Sequence, residues 1–112
     1  MTYHVEITEF AERDMRSAHR WWADNRSKHQ ADRWYTGFAN EIASLSVNPE
    51  RQPQSRESHW FGIELRDLVF GTGRRPTHRA VFTIRGDSVV VLTIRHLAQA
   101  DLSAEDVAME SD

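Results

Sequence analysis

The chain has 112 residues, of which 39% are hydrophobic and 28% charged, so it fits one globular domain and leaves no room for a second. It contains no cysteine, which excludes disulfides, thiolate metal sites and cysteine nucleophiles. The net charge of -3 is uneven, because residues 51–100 hold eight arginines and four acidic residues, whereas residues 101–112 hold five acidic residues and no basic one. We expect a domain over residues 1–100, followed by a flexible acidic tail over residues 101–112 that screens the basic half.

We expect neither a membrane span nor an export signal in this sequence. No apolar run approaches the roughly 20 residues that span a bilayer, and residues 1–10 lack the basic start and apolar core of a signal peptide. We therefore expect a cytoplasmic protein that makes no membrane contact.

A strand and a helical hairpin are predicted first. Residues 3–7 alternate as in a short strand, and Thr8 is placed to cap a helix that ends near Asn25. The apolar stripe of this helix consists of Ala11, Met15, Ala18 and Trp22. A second helix, ended by Asn48-Pro49, has an apolar face made of Ala31, Trp34, Tyr35, Phe38, Ile42 and Leu45. Core packing is the expected role of Trp21, Trp22 and Trp34, in preference to stacking on bases.

The second half of the chain predicts strands. Residues 50–59 have no period and predict a loop, and residues 60–66 predict a strand whose phase breaks at Asp67-Leu68. Two β-branched runs, His78 to Arg85 and Ser88 to His96, predict a hairpin closed by Gly86-Asp87.

The element order predicts an α+β fold. An N-terminal strand and a helical hairpin precede a three-stranded antiparallel meander that completes one sheet. We expect an antiparallel sheet whose one face is covered by the helices and whose other face is partly covered.

The hairpin register predicts that two chemically active side chains lie together. If Arg85 pairs with Ser88, then Arg79 lies opposite Ile94, and His96 lies diagonal to Arg79 on the same face. The same register places Val81 opposite Leu92.

Arg79 and His96 are therefore the candidate catalytic residues. An imidazole moves protons near neutral pH and a guanidinium stabilises the transition state of a phosphodiester, so the pair could cleave RNA without a metal. Candidate contacts to the substrate or target are Arg66, Arg74, Arg75 and Arg95. The structural alternative is that Arg79 pairs with Glu64 or Asp67 and that His96 forms a hydrogen bond at a strand end.

No cofactor is predicted. None of the six histidines lies three or four residues from another, so we expect no metal site. The chain also lacks a P-loop, a dinucleotide-binding fingerprint and a nucleophile elbow, so we expect no small-molecule cofactor.

Several segments resemble the RelE/ParE superfamily of toxins, also called plasmid stabilisation proteins. They are residues 7–14, 65–68, 78–84 and 91–96, and with the two helices between them the resemblance spans about residues 3–100. It rests on element order, length and the two final strands rather than on one motif.

The resemblance implies a growth-inhibiting toxin of a type II toxin–antitoxin pair, held inactive by the C-terminal segment of a cognate antitoxin. RelE-like members cleave messenger RNA on the ribosome, whereas ParE-like members have lost the catalytic set and poison DNA gyrase. Arg79 matches the family's arginine on the penultimate strand. His96 lies near the position at which some nuclease members place a catalytic histidine.

Three departures from the nuclease pattern favour a ParE-like inhibitor of DNA gyrase. The chain has a single lysine and an acidic end, although binding to ribosomal RNA favours a strongly basic protein. No tyrosine follows His96, and neither Glu50 nor Glu57 is clearly placed as a general base. The alternatives are a RelE-like, ribosome-dependent mRNA endoribonuclease and a catalytically inactive binding module.

Overall fold

A computed structural model describes residues 2–99, in which four strands form one mixed sheet. The elements in chain order are β1 (His4–Ile7), α1 (Glu9–Asn25), α2 (Lys28–Ala43), α3 (Ser58–Phe61), β2 (Arg66–Phe70), β3 (His78–Arg85) and β4 (Ser88–His96), with 3-10 turns at Ser44–Ser46 and Pro49–Arg51. The predicted α+β order is confirmed. The predicted tail, residues 101–112, lies outside the described residues.

The strand order is β1-β4-β3-β2, and β1 runs parallel to β4. The other two pairs, β2 with β3 and β3 with β4, are antiparallel as predicted. The expectation of a wholly antiparallel sheet is therefore wrong. A parallel pair needs a long connection between its strands, and the helices, β2 and β3 together provide it.

Both long helices begin at hydroxyl caps. Thr8 Oγ1 accepts a hydrogen bond from the Ala11 N–H at 3.0 Å, so α1 begins where the sequence predicts. The helix also ends at the predicted Asn25. Ser27 Oγ accepts from the Gln30 N–H at 3.0 Å, and α2 therefore begins three residues before the predicted apolar face.

The main core lies between the helical hairpin and one face of the sheet. Its fully buried side chains include Trp34 and Phe38 of α2 and Phe82 of β3. Trp22 packs against this core as predicted, but Trp21 is 51% exposed, so its predicted place in the core is wrong. Trp21 directly precedes Trp22, and adjacent helical residues face different directions.

A second, smaller core covers the other face of the sheet. Leu65, Val81 and Leu92 form it, and Phe61 and Ile63 pack against them. This partial cover agrees with the prediction, but the predicted strand over residues 60–66 is wrong. Residues 58–61 form the short helix α3, which ends at a glycine.

That helical turn is fixed by one serine and the glycine. Ser58 Oγ donates to the Leu65 C=O and accepts from the Leu65 N–H, both at 2.8 Å. Gly62 follows α3 with φ of 69°, a left-handed conformation that glycine adopts without steric cost. The strand therefore begins only at Arg66.

The β3–β4 hairpin begins in the predicted register, with Arg85 opposite Ser88, but the register shifts by one residue between Val81 and Phe82. Phe82 pairs with Val91 and Val81 pairs with Thr93, which leaves Leu92 as the extra residue of a bulge. The predicted pairs of Val81 with Leu92 and of Arg79 with Ile94 are therefore wrong.

A carboxylate of α1 lies at this bulge. Asp14 Oδ2 accepts hydrogen bonds from Thr93 Oγ1 at 2.8 Å and from the Ile94 N–H at 3.0 Å. A contact between a helix and a strand 79 residues away leaves no signal in the local pattern of either segment. Beyond the bulge, Arg79 pairs with Arg95 and His78 pairs with His96.

Candidate functional site

Arg79 lies in a buried ion-pair network on the side of the sheet that faces the second core. The residue is 6% exposed and Glu57 is fully buried. Arg79 Nη2 donates to Glu57 Oε2 at 2.6 Å, and Arg79 Nη1 donates to Asp67 Oδ1 at 3.0 Å. The structural alternative predicted that Arg79 pairs with Glu64 or Asp67. The pair with Asp67 is confirmed, and the second carboxylate is Glu57 rather than Glu64.

Ser55 completes this network from the loop before α3. Its hydroxyl donates to Glu57 Oε1 at 2.5 Å and lies 3.3 Å from Arg79 Nη1. Two carboxylates and a hydroxyl therefore take up the donors at both ends of the guanidinium.

Burial is the main influence on the pKa of Asp67, whereas hydrogen bonding is the main influence on the pKa of Arg79. Burial raises the pKa of Asp67 above its usual value, although the adjacent Arg79 guanidinium acts in the opposite direction. Hydrogen bonding to Glu57 raises the pKa of Arg79, so the guanidinium stays charged. One cation between two carboxylates is a poor site for a phosphate, because the anion would have to displace both.

His96 lies on the opposite side of the sheet from Arg79. The bulge pairs His96 with His78, and the centroids of the two rings are 5.0 Å apart. The His78 ring also contacts Trp34 of the main core. The predicted shared face of Arg79 and His96 is therefore wrong, because the one-residue shift exchanges the faces.

The two histidines differ in environment. Burial, and to a lesser degree the charge of His96, lowers the pKa of His78 to about 4, so this ring is neutral at physiological pH. Its Nδ1 lies 2.7 Å from Thr77 Oγ1. His96 is exposed, and its Nδ1 accepts a hydrogen bond from the Ala98 N–H at 3.0 Å, so a strand-end hydrogen bond is present as the structural alternative expected.

The four other candidate arginines do not converge on one site. Arg66 Nη1 donates to the Glu50 C=O at 2.8 Å and to the Gln52 C=O at 2.5 Å, so this side chain fastens the loop before α3. Arg95 is buried, and it pairs with Arg79 across the β3 and β4 strands. Of these four arginines, only Arg74 and Arg75 are exposed, and both lie in the turn between β2 and β3.

Sequence reasoning missed two residues that organise this region. Sequence alone does not reveal these roles, because Arg79 lies 24 residues from Ser55 and Thr93 lies 79 residues from Asp14. Among residues 2–99, no group of three histidine or acidic side chains could hold a metal ion. Within the same residues, no helix has both the length and the apolarity needed to cross a membrane.

The solved structures with a similar fold include two toxin–antitoxin systems. The chromosomal ParDE toxin–antitoxin system from P. aeruginosa has a chain that aligns with a TM-score of 0.67 and 18% identity, over 85% of this chain and 96% of that one. The toxin–antitoxin complex RelBE2 from Mycobacterium tuberculosis aligns with a TM-score of 0.55 and 24% identity, over 86% of this chain and 99% of the other. The fold is therefore that of the RelE/ParE class of toxins.

The family model of the ParE toxin of the type II toxin–antitoxin system parDE matches residues 5–101. The chain accordingly belongs to the ParE toxin family, and the predicted RelE/ParE membership is confirmed. No curated protein matches the sequence significantly.

Proposed function

We propose that this protein arrests growth by inhibiting DNA gyrase in the manner of a ParE toxin, and that a cognate antitoxin neutralises it. The ParE family match supports the toxin class. The observation that favours gyrase over messenger RNA is the position of Arg79, which is buried between Glu57 and Asp67. A gyrase target also requires the protein to act in the cytoplasm.

A metal-independent ribonuclease would need Arg79 and His96 on one phosphate. Arg79 pairs with Arg95 and His96 pairs with His78, and these two neighbouring pairs lie on opposite faces of the sheet. A substrate phosphate would also have to displace Glu57 and Asp67 from the Arg79 guanidinium. Each displaced carboxylate would then lose its ion pair inside the protein, which is unfavourable. These features argue against the RelE-like alternative.

The arginines that remain available for a target are Arg74 and Arg75. Both are exposed in the β2–β3 turn, and Gly71 allows this turn to close tightly. A Cβ atom on Gly71 would lie 2.3 Å from the Arg75 C=O oxygen, so another residue there would displace the turn. We assign the target contact to this turn, and Arg66 and Arg95 to its structural support.

The test is expression of the protein without its antitoxin, followed by measurement of growth, message integrity and gyrase-linked DNA breaks. We expect growth arrest and DNA breaks with intact messages, and recovery on co-expression of the antitoxin gene. Changing Arg74 and Arg75 together to Gln should weaken inhibition of purified gyrase about 3- to 30-fold, as expected for the loss of two charged contacts. Arg51→Gln, at another exposed turn, is the matched control.

Messages cut on the ribosome, with cutting lost in His96→Gln, would instead establish the endoribonuclease. Absence of growth arrest at any expression level would leave the binding-module alternative.

A further inference from the structure

A furrow crosses the outer surface of the helical hairpin, over the exposed face of α2. One part lies between α1 and α2 and has a volume of about 690 Å³. The other part lies between α2 and the start of the β2–β3 turn and has a volume of about 620 Å³. Asp32 and Thr36 line both parts, so the furrow is continuous. Its lining residues take no part in the Arg79 network.

Exposed arginines line both parts of the furrow. Arg16 and Arg20 lie about one helical turn apart on α1, and Arg33 lies on α2 beside the second part. None of these three guanidinium groups forms an ion pair with another of residues 2–99. Their charges are therefore available to a ligand. A guanidinium suits phosphate because its planar N–H groups can bind two phosphate oxygens at once.

Neutral hydrogen-bonding side chains lie between the arginines. They belong to Tyr35, Thr36, Asn40 and Thr72. Hydroxyl and amide side chains such as these, together with arginine and lysine, are the groups with which proteins contact the sugar-phosphate backbone of DNA. The furrow thus has the polar composition of a backbone-binding surface.

Among the described residues that line the furrow, Asp32 is the only carboxylate, and it is already paired. Its Oδ1 lies 2.9 Å from His19 Nε2, and its Oδ2 accepts a hydrogen bond from Lys28 Nζ at 2.9 Å. These hydrogen bonds lower the pKa of Asp32, so the carboxylate stays ionised beside its partners. The furrow therefore keeps an excess of positive charge, although the whole chain has a net charge of -3.

The cations are spread along the furrow rather than gathered at one point. Arg16 and Arg20 lie on the α1 side and Arg33 on the side of the turn, and an α-helix with its side chains is about 10 Å wide. Duplex DNA carries one charge for about every 1.7 Å of its axis, so cations at this spacing suit several phosphates better than one small anion. Arg74 follows Thr72 by two residues and extends the basic surface at the far end.

An acidic protein fits the furrow less well than a nucleic acid does. Protein partners are held chiefly by a few large side chains, most often tryptophan, tyrosine and arginine, that become buried at the centre of the interface. Of the large exposed hydrophobic side chains in residues 2–99, only Tyr35 lines the furrow, and its ring already packs edge-on against His19.

We propose that this furrow binds the phosphodiester backbone of duplex DNA, with Arg16, Arg20 and Arg33 as the phosphate contacts. The assignment rests on the proposed function only in naming DNA, the polymer on which gyrase acts, rather than another nucleic acid. The furrow would then hold the duplex while the turn that carries Arg74 and Arg75 contacts the enzyme.

The test is the fluorescence anisotropy of a short labelled DNA duplex, titrated with the full chain at several salt concentrations. Three phosphate contacts predict that the logarithm of the binding constant falls with the logarithm of salt concentration with a slope of about -3. Arg16→Gln, Arg20→Gln and Arg33→Gln should each weaken binding about 3- to 10-fold and make the slope shallower by about one. Thermal unfolding checks that each variant keeps the fold.

Arg51→Gln is the matched control, because it removes the same charge at an exposed turn that does not line the furrow. Equal losses in this control and in the furrow variants would show a general charge effect and refute the furrow. Absence of binding at low salt would also refute it. Polyglutamate and an RNA duplex of the same sequence serve as competitors, and displacement of the labelled duplex by either one more readily than by unlabelled DNA would overturn the choice of DNA.

A supercoiling assay with purified gyrase separates this proposal from the proposed function. The triple variant with Gln at positions 16, 20 and 33 should inhibit gyrase at least about threefold more weakly than the unaltered protein. Full inhibition by a triple variant that no longer binds DNA would refute the role of the furrow at gyrase. Binding of DNA through the furrow by a protein that fails to inhibit gyrase would refute the gyrase proposal and leave the furrow as a DNA site.

Discussion

Burial determines what the charged residues on the sheet do. Arg79 has the residue type and strand position of a phosphate-binding arginine, yet Glu57 and Asp67 hold it inside the protein. His78 is buried beside His96 and stays neutral, whereas His96 remains exposed. Neither the buried arginine nor the buried histidine can be recognised from its neighbours in the sequence.

His78 makes the stability of the fold depend on pH. Its pKa is about 4 in the folded protein, against an ordinary value of 6.5, so the unfolded chain binds a proton that the folded chain does not. The free energy of unfolding should therefore fall as the pH drops from 6.5 to 4, by about 1–3 kcal/mol after allowance for solvent screening.

Urea unfolding across this pH range measures the effect, and His78→Gln is the control. In this variant the free energy of unfolding should depend less on pH, because the His78 contribution is lost while the contribution of the carboxylates remains. An unchanged slope in His78→Gln would contradict the assignment.

The bulge in β4 is the element on which the arrangement of the sheet depends. It moves Arg79 from the predicted partner Ile94 to Arg95, and so sets Arg79 and His96 on different faces. Asp14 of α1 bonds the two residues that follow the extra Leu92. A helix thereby helps to fix the register of a strand that lies far away in sequence.

Asp14→Ala tests this connection. The change leaves the Ile94 N–H and the Thr93 hydroxyl without their acceptor, and we expect it to lower the free energy of unfolding by about 1–3 kcal/mol. Hydrogen exchange at the Ile94 amide should accelerate by more than exchange at the Val89 amide near the turn.

Glu12→Ala, at an exposed position of the same helix, is the matched control and should change stability by less than about 0.5 kcal/mol. If Asp14→Ala proves as mild as the control, the bulge does not depend on the helix.

At the scale of the whole molecule, charge is divided between the folded domain and the end of the chain. Residues 51–100 contain four more basic than acidic residues, whereas residues 101–112 contain five acidic residues. Long-range attraction to a polyanion depends on this distribution, and salt screens it within about 10 Å at 0.1 M ionic strength.

Deletion of residues 103–112 should therefore strengthen binding to duplex DNA and make it more sensitive to salt. Fluorescence anisotropy at two salt concentrations measures both effects. A full-length variant with amides in place of the acidic side chains separates charge from length. If neither variant binds more tightly than the unaltered protein, the acidic end has no screening role.

Local patterns determined much of the fold. The Thr8 cap, the apolar stripes of the helices and the Gly86-Asp87 turn lie within a few residues of the contacts that they make, so they predict α1, α2 and the start of the hairpin. The short helix α3 was missed because Ser58 and Leu65, seven residues apart, fix it together. The parallel pairing of β1 with β4 was missed because the two strands lie at opposite ends of the chain, and local patterns do not report such pairing.

The sequence by itself determined the order of elements and the helical hairpin, because periodicity, capping and turn chemistry act over short distances. It also carried the resemblance of several segments to the RelE/ParE toxins. Tertiary structure alone decided that Glu57 and Asp67 enclose Arg79 and that a bulge separates Arg79 from His96. Each of these depends on groups distant in the chain that meet where water is excluded. Burial then alters their charge interactions far more than any neighbour in the sequence could.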